Sequence, residues 1–429
     1  MTLPIQPAVL GIDFGTTNSV AAIAVDGVAS LIPLRGPEGA DPVFRSALCF
    51  WEDESGIAVE AGPWAVDEYL AYPEGSRFIQ SFKTVAASSH FLHASIFDRR
   101  YRFEDLGALF LEKMMQRSGG AMEQRDRRVI VGRPVVFAGH RPDEGLARER
   151  YNAVFAGLGA DISYVYEPLG AAFSFASELR NAATVLVADF GGGTSDFSIV
   201  RIEEPGRVKR CTPLSHAGVG IAGDRFDRRI LDNVVLPLLG KGGQYRSFDK
   251  VLEIPSGWFA EFADWSRLAF MRNRKTLAEL AKLQRSAIDP VPIERMVSII
   301  EQELGYALYE AVGKVKRALS SAEIANFSFS GGGLSIEAEV TRADFERWIA
   351  PDLARIEEAV DLALSRAGIG TAEIDRVFLT GGSSLIPRVR HLFSERFGAD
   401  RIASGNELTS IAHGLALIGS EPDLSAWAI

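Results

Sequence analysis

A two-lobed α/β chain is predicted by three observations. At 429 residues and 47% hydrophobic composition, the chain exceeds the ~250–300 residues at which a single core stops growing. The segment VLGIDFGTTNSVAAIAV at residues 9–25 is answered by VLVADFGGGTSDFSIVRI at residues 185–202, so one unit occurs twice. Each copy is an apolar strand ending in an aspartate, a Gly/Thr turn and a second alternating strand, the pattern of a β-hairpin with a tight loop. Two copies predict two similar lobes.

The turns carry the chemistry. Gly15, Thr16, Thr17 and Asn18 in the first copy, and Gly191, Gly192, Gly193 and Thr194 in the second, leave backbone N–H groups pointing outward as a nest for an anion such as phosphate. Asp13 and Asp189 at the strand ends would repel a phosphate unless a cation intervened. Mg²⁺, which keeps its waters and takes few carboxylates, is the usual one. Two facing hairpins therefore predict a magnesium–nucleotide site between the lobes.

Other classes are disfavoured. The net charge of −10 argues against long nucleic-acid contacts and a polybasic membrane footprint. The short basic runs RDRR at residues 125–128 and RNRK at residues 272–275 read as solvated helix or loop surface. Cys49 and Cys211 stand far apart, which indicates neither a disulfide framework nor a thiolate metal site. With no basic leader and no apolar run near ~20 residues, a soluble cytoplasmic protein is expected. No Walker P-loop or HExxH occurs, and His90 and His93 lack companions at metal spacing. The letters GVGIAG at residues 218–223 follow KRCTPLSHA, a poor buried strand, so this stretch reads as a glycine-rich connection.

Two helices follow from periodicity. Met296, Ile300, Leu304, Ala307, Leu308, Ala311, Val315 and Leu319 predict one helix across residues 292–319 with a single buried stripe. Lys316, Arg317 and Ser320 on its last turn could line a cleft, although cations there also complement the helix dipole. Thr341 and Asp344 at capping-box spacing open a second amphipathic helix through Phe345, Trp348, Ile349, Leu353, Ile356 and Val360. A strand VFLT then runs into Gly381, Gly382 and Ser383, where missing side chains let a base or ribose approach backbone.

Six segments in order resemble the Hsp70 family. GIDFGTTNS (11–19) and VADFGGGTSDFSIV (187–200) are similar to its two phosphate motifs, VYEPLGAAFSFA (165–176) to its connecting motif, and FLTGGSSLIPRV (378–389) to its adenosine motif. TRADFERW (341–348) and KRALSS (316–321) resemble helices of its second lobe. The resemblance implies an actin-like ATPase fold of two duplicated, ribonuclease H-like mixed-sheet lobes around a cleft for ATP or ADP with Mg²⁺. By that resemblance Lys83 is the catalytic lysine. Taken alone it reads as a surface lysine near the end of a helix. The resemblance further implies that Asp13, Glu167 and Asp189 arrange the waters of Mg²⁺, that Asp189 and Thr194 stand near the γ-phosphate, and that Asp196 orients their loop. Glu167 by itself is equally a helix-start acid before Pro168. The nucleotide-binding set implied comprises both turns with Asp196, Gly223, Lys316, Arg317, Ser320, Gly381, Gly382 and Ser383.

The resemblance places lobe I at residues 1–183 with an outer part at about 40–102, lobe II at 184–403 with an outer part at about 224–348, and a return to lobe I at 404–429. Leu385 replaces an arginine against the adenine, and Gly313 replaces a glutamate one turn before Lys316. The tail EPDLSAWAI stands where a linker and peptide-binding domain would follow. A slow ATP hydrolase is therefore expected, a chaperone or chaperone-related switch without the peptide clamp, with a co-chaperone or other protein as partner. A sugar or acid kinase and an actin-like filament protein share the fold and are the alternatives.

Overall fold

The computed structural model describes residues 8–429 except 74, 124–126, 140, 160, 204–210, 264–267, 269–270, 406–407 and 422. These residues form two compact units, Met1–Gly223 with Leu353–Ile429, and Asp224–Asp352.

The first unit contains the same five-strand arrangement twice, with Val43–Arg45 adding a sixth strand to the first sheet. In one, β1 (Val9–Phe14), β2 (Asn18–Val25) and β3 (Val28–Leu31) form an antiparallel meander, while β4 (Arg128–Arg133) and β5 (Ile162–Tyr166) add in parallel, giving the order β5-β4-β1-β2-β3. In the other, β6 (Ala183–Phe190), β7 (Ser195–Ile202), β8 (Cys211–Val219), β9 (Arg376–Thr380) and β10 (Ile402–Ser404) repeat that order and those directions as β8-β7-β6-β9-β10. Asp13 and Asp189 are each the penultimate residue of the central strand, opposite Val20 and Asp196.

Central strands covered on both faces need continuous apolar sequence, and every residue of VLGIDF is buried. Alternation splits β1 between two cores. Leu10, Ile12 and Phe14 join a cluster with Phe44, Phe82, Phe103, Phe110 and Phe155, whereas Val9 joins Ile130, Leu169, Phe173, Leu415 and Trp427.

Among the helices, α1 (Glu144–Phe155) is N-capped by Asp143, whose Oδ1 accepts from the Leu146 amide at 3.0 Å. Helix α2 (Glu167–Ala176) is buried along its whole length and starts with Pro168 in its first turn, where a missing N–H costs nothing. It stacks Phe175 on Phe378 of the second sheet at 4.6 Å. It also packs against α3 (Ser410–Gly419), with Gly170 meeting Gly414. Trp427 lies edge-on to Phe173 at 4.5 Å, and the Ile429 amide donates to Tyr164 O on β5 at 3.1 Å.

The second unit is built from helices Arg274–Ser286, Val291–Glu301 and Gly305–Leu319 and hairpin Ile324–Gly331/Leu334–Thr341. The single helix expected across residues 292–319 is two, because Glu303 takes a left-handed φ of 53° and breaks the ladder. Apolar periodicity carries no record of such a break. The expected cap at Thr341 is present: its Oγ1 accepts from the Asp344 amide at 3.1 Å.

Two further expectations are corrected. Cys211–Val219 is a genuine strand, paired along β7 despite Pro213, because β8 is an edge strand where a missing N–H is tolerated. The described arginines of RDRR are not solvated surface. Arg127 is buried and donates to Ala121 O and Met122 O, and Arg128 donates to Gly419 O and Glu421 O at 2.9 and 2.8 Å. Residues 125–126 lie outside the described set.

Candidate active site

The two hairpin turns converge. A Cβ placed on Gly193 would lie 3.6 Å from Thr16 Oγ1 and 3.5 Å from Thr84 Cγ2. Both tips and the segment after Lys83 therefore meet at van der Waals range.

Each turn is braced. In the first, Ser46 Oγ donates to Gly15 O at 2.7 Å and its amide donates to Thr17 O at 2.9 Å. In the second, the Gly191 amide donates to Thr194 O at 3.0 Å, the Gly223 amide to Gly191 O at 3.3 Å, and Thr194 Oγ1 to Asp196 Oδ2 at 2.7 Å. The other oxygen of Asp196 accepts from the Val135 and Val136 amides at 3.0 and 3.2 Å. That carboxylate thereby ties the second hairpin to the chain leaving β4. Ser46 and the 135–136 amides carry no sequence signal: a lone serine and two backbone N–H groups gain a role only through what folds against them.

Lys83 is corrected from a surface position at a helix end. It sits in a 3₁₀ turn, Phe82–Val85, following the short strand Ser76–Gln80, and is only 7% exposed. Its Nζ is 2.5 Å from Glu167 Oε1 at the first residue of α2, which is equally buried. Burial alone would lower the lysine's pKa, but Glu167, Tyr151 and Asp13 outweigh it and hold the group as ammonium.

Around this pair the carboxylates act on one another. Asp13 is pushed up to about 7 by burial and then by Glu167, with Lys83 opposing. Asp196 is pushed up to about 7 by burial and Glu167, against the hydrogen bonds from Thr194 and Val136. Asp189 is raised well above the usual carboxylate range by burial, Glu167, Asp13 and Asp196. Four buried acids thus share one lysine, and the upward shifts of Asp13, Asp189 and Asp196 mark carboxylates that a further cation would hold ionised in place of protons. Among the described residues no three acids, His or Cys are arranged to hold a metal directly. The donor set suits a hard cation that keeps its own water shell.

Gly381–Ser383 comes alongside. Strand β9 pairs Thr380 with Asp189, and a Cβ on Gly381 would fall 2.2 Å from Phe190 O. This turn therefore flanks the second hairpin, with Ser383 buried and Leu385 48% exposed. In the second unit, Lys316, Arg317 and Ser320 share the last turn of Gly305–Leu319 and its C-cap, and Lys316 Nζ pairs with Asp227 Oδ2 at 2.6 Å.

A family model described as Hsp70 protein matches residues 77–242 and 299–420. The chain belongs to the Hsp70 family. Membership brings the actin-like ATPase fold, and the twin sheets are its duplicated halves. The Hsp70-like reading is favoured over the kinase and filament alternatives. The chain is 26% identical over 427 residues to "Chaperone protein DnaK" of Thermus thermophilus, and 27% identical over 413 residues to that of Thermotoga petrophila, covering 95% of this chain in both. It spans about 60% of the length of these Hsp70 relatives. No helix among the described residues is long and apolar enough to cross a membrane.

Proposed function

We propose that this Hsp70-family chain binds ATP with Mg²⁺ between its two hairpins and hydrolyses it slowly, acting in the cytoplasm as a chaperone-related nucleotide switch with a co-chaperone or other protein as partner. The observation that carries the reading is the buried meeting of Asp13, Glu167, Asp189 and Asp196 with a single ammonium, directly behind two opposed glycine turns. In this reading residues 1–183 and 404–429 form lobe I, with an outer part at about 40–102. Residues 184–403 form lobe II, with an outer part at about 224–348.

Phosphoryl transfer asks a protein mainly for positioning and charge stabilisation. The amides of both turns donate to phosphate oxygens. Lys83 reaches the terminal phosphate, Asp189 and Thr194 orient the attacking water, and Asp196 keeps Thr194 in place. Asp13, Glu167 and Asp189 would hold Mg²⁺ through its waters, where it supplies neutralisation of the polyphosphate. Gly381, Gly382, Ser383, Lys316, Arg317 and Ser320 serve the adenosine side.

The test is Lys83→Ala and Asp189→Ala, each checked for folding by thermal melt. Both are expected to keep Mg-ADP binding by calorimetry and to lose single-turnover ATP cleavage. Cleavage at the wild-type rate in both variants rejects the assignment.

A further inference from the structure

Two neighbouring residues of α1, Arg150 and Tyr151, lie outside every nucleotide motif. Arg150 is buried, with Nη1 donating to Val85 O, Ala86 O and Ser88 O at 2.9, 3.0 and 3.1 Å and Nη2 donating to Phe91 O at 2.6 Å. A guanidinium has enough donors in a rigid fork to hold four carbonyls of one short stretch, and a lysine does not. The first of those carbonyls lies two residues beyond Lys83, so α1 fixes the backbone from which the lysine reaches.

Tyr151 follows and turns into the core. It is 2% exposed, and its ring is surrounded by Phe14, Phe137 and Phe155 at centroid distances of 6.1, 5.6 and 5.7 Å. Its hydroxyl has no hydrogen-bond partner among the described residues. A phenylalanine would fill this aromatic pocket without burying a polar atom, so ring packing does not account for the oxygen. The charged groups within electrostatic reach of that oxygen are Lys83, Glu167, Arg133 and Asp13. The Lys83 ammonium has three donors, and Glu167 takes one.

We propose that Tyr151 is a positioning residue for Lys83, its hydroxyl and the lysine ammonium sharing one ordered internal water while Arg150 holds the lysine's backbone. Such a water finds the two to four polar partners that buried waters require in Tyr151, Lys83 and the neighbouring carboxylates. Burial keeps the phenol protonated throughout the working range, so it remains a neutral hydrogen-bonding group. The effect of the water link on turnover rests on the ATP-hydrolysis reading.

The test is Tyr151→Phe in the full chain, with two readouts. A high-resolution crystal structure of the unliganded wild type is expected to show a water within hydrogen-bond distance of both Tyr151 Oη and Lys83 Nζ, displaced or lost in the variant. Steady-state kinetics are expected to show kcat for ATP lowered about tenfold with KM within about twofold, the signature of a lost charge-assisted hydrogen bond acting in the transition state. An undisplaced water, the absence of one in the wild type, or an unchanged kcat overturns the proposal. If the wild type cleaves no ATP, the hydrolysis reading falls and the crystallographic water alone decides the Tyr151–Lys83 link.

Discussion

Gly414→Ala tests the part of the fold on which the site is built. Helices α2 and α3 approach so closely there that a Cβ on Gly414 would lie 1.7 Å from Gly170 O, 2.6 Å from Gly170 C and 3.0 Å from Ser174 N. All three are backbone atoms, so no side-chain rotation relieves the clash. Carbon–oxygen contacts settle near ~3.3 Å, so the helices must separate by about 1.6 Å. That opens gaps around Leu169, Phe173, Ile411 and Leu415, all of one core cluster. Inserting a methyl into a packed core costs about 1–3 kcal/mol when side chains can yield, and here roughly 3–4 kcal/mol is expected because they cannot. At about 2.1 cal/mol/K of unfolding entropy per residue, a chain of 429 residues shifts by about 1 °C per kcal/mol, so Tm should fall by roughly 3–5 °C. Because α2 begins with Glu167, the shift should also disturb the Lys83 ion pair and weaken Mg-ADP binding. Differential scanning calorimetry measures the first effect and titration calorimetry the second. Gly157→Ala, where a Cβ would meet nothing within 4 Å, is the control. A Gly414→Ala melt within about 2 °C of wild type would refute the reasoning.

Leu385→Arg should tighten ATP binding about two- to fivefold while leaving tripolyphosphate binding unchanged, because a guanidinium on this exposed turn adds a cation–π contact to the base alone. Equal gains for both ligands, or none for ATP, would count against the adenosine-side placement. His216 concerns stability. Burial, and then Arg366, lower its pKa from 6.5 to about 4, and its Nδ1 is hydrogen-bonded to Ser198 Oγ at 2.8 Å. The folded chain therefore binds fewer protons than the unfolded chain between pH 4 and 6.5. This contribution is complete above pH 6.5 and is lost as pH falls toward 4, by up to about 3 kcal/mol and by about 2 after partial solvent screening. Asp13 and Asp196, raised to about 7, pull the opposite way over this range, so the test is the difference between wild type and His216→Asn in urea unfolding across pH 4–7. A pH-independent difference would show that the imidazole does not titrate as described.

The primary sequence was sufficient for the twin hairpins and the Thr341 cap. The twin hairpins are legible because an apolar strand, an aspartate and a glycine turn are contiguous patterns. The Thr341 cap is legible because its partner stands three residues away. The Lys83–Glu167 pair spans 84 residues, and alone each residue looked like ordinary surface or helix-start chemistry. Arg150, Tyr151 and Ser46 left no trace at all, and the break at Glu303 hid inside an unbroken apolar period. Local backbone preferences and side-chain periodicity are written along the chain, whereas a buried charge acquires its partner, and its meaning, only when distant strands and helices exclude water around it.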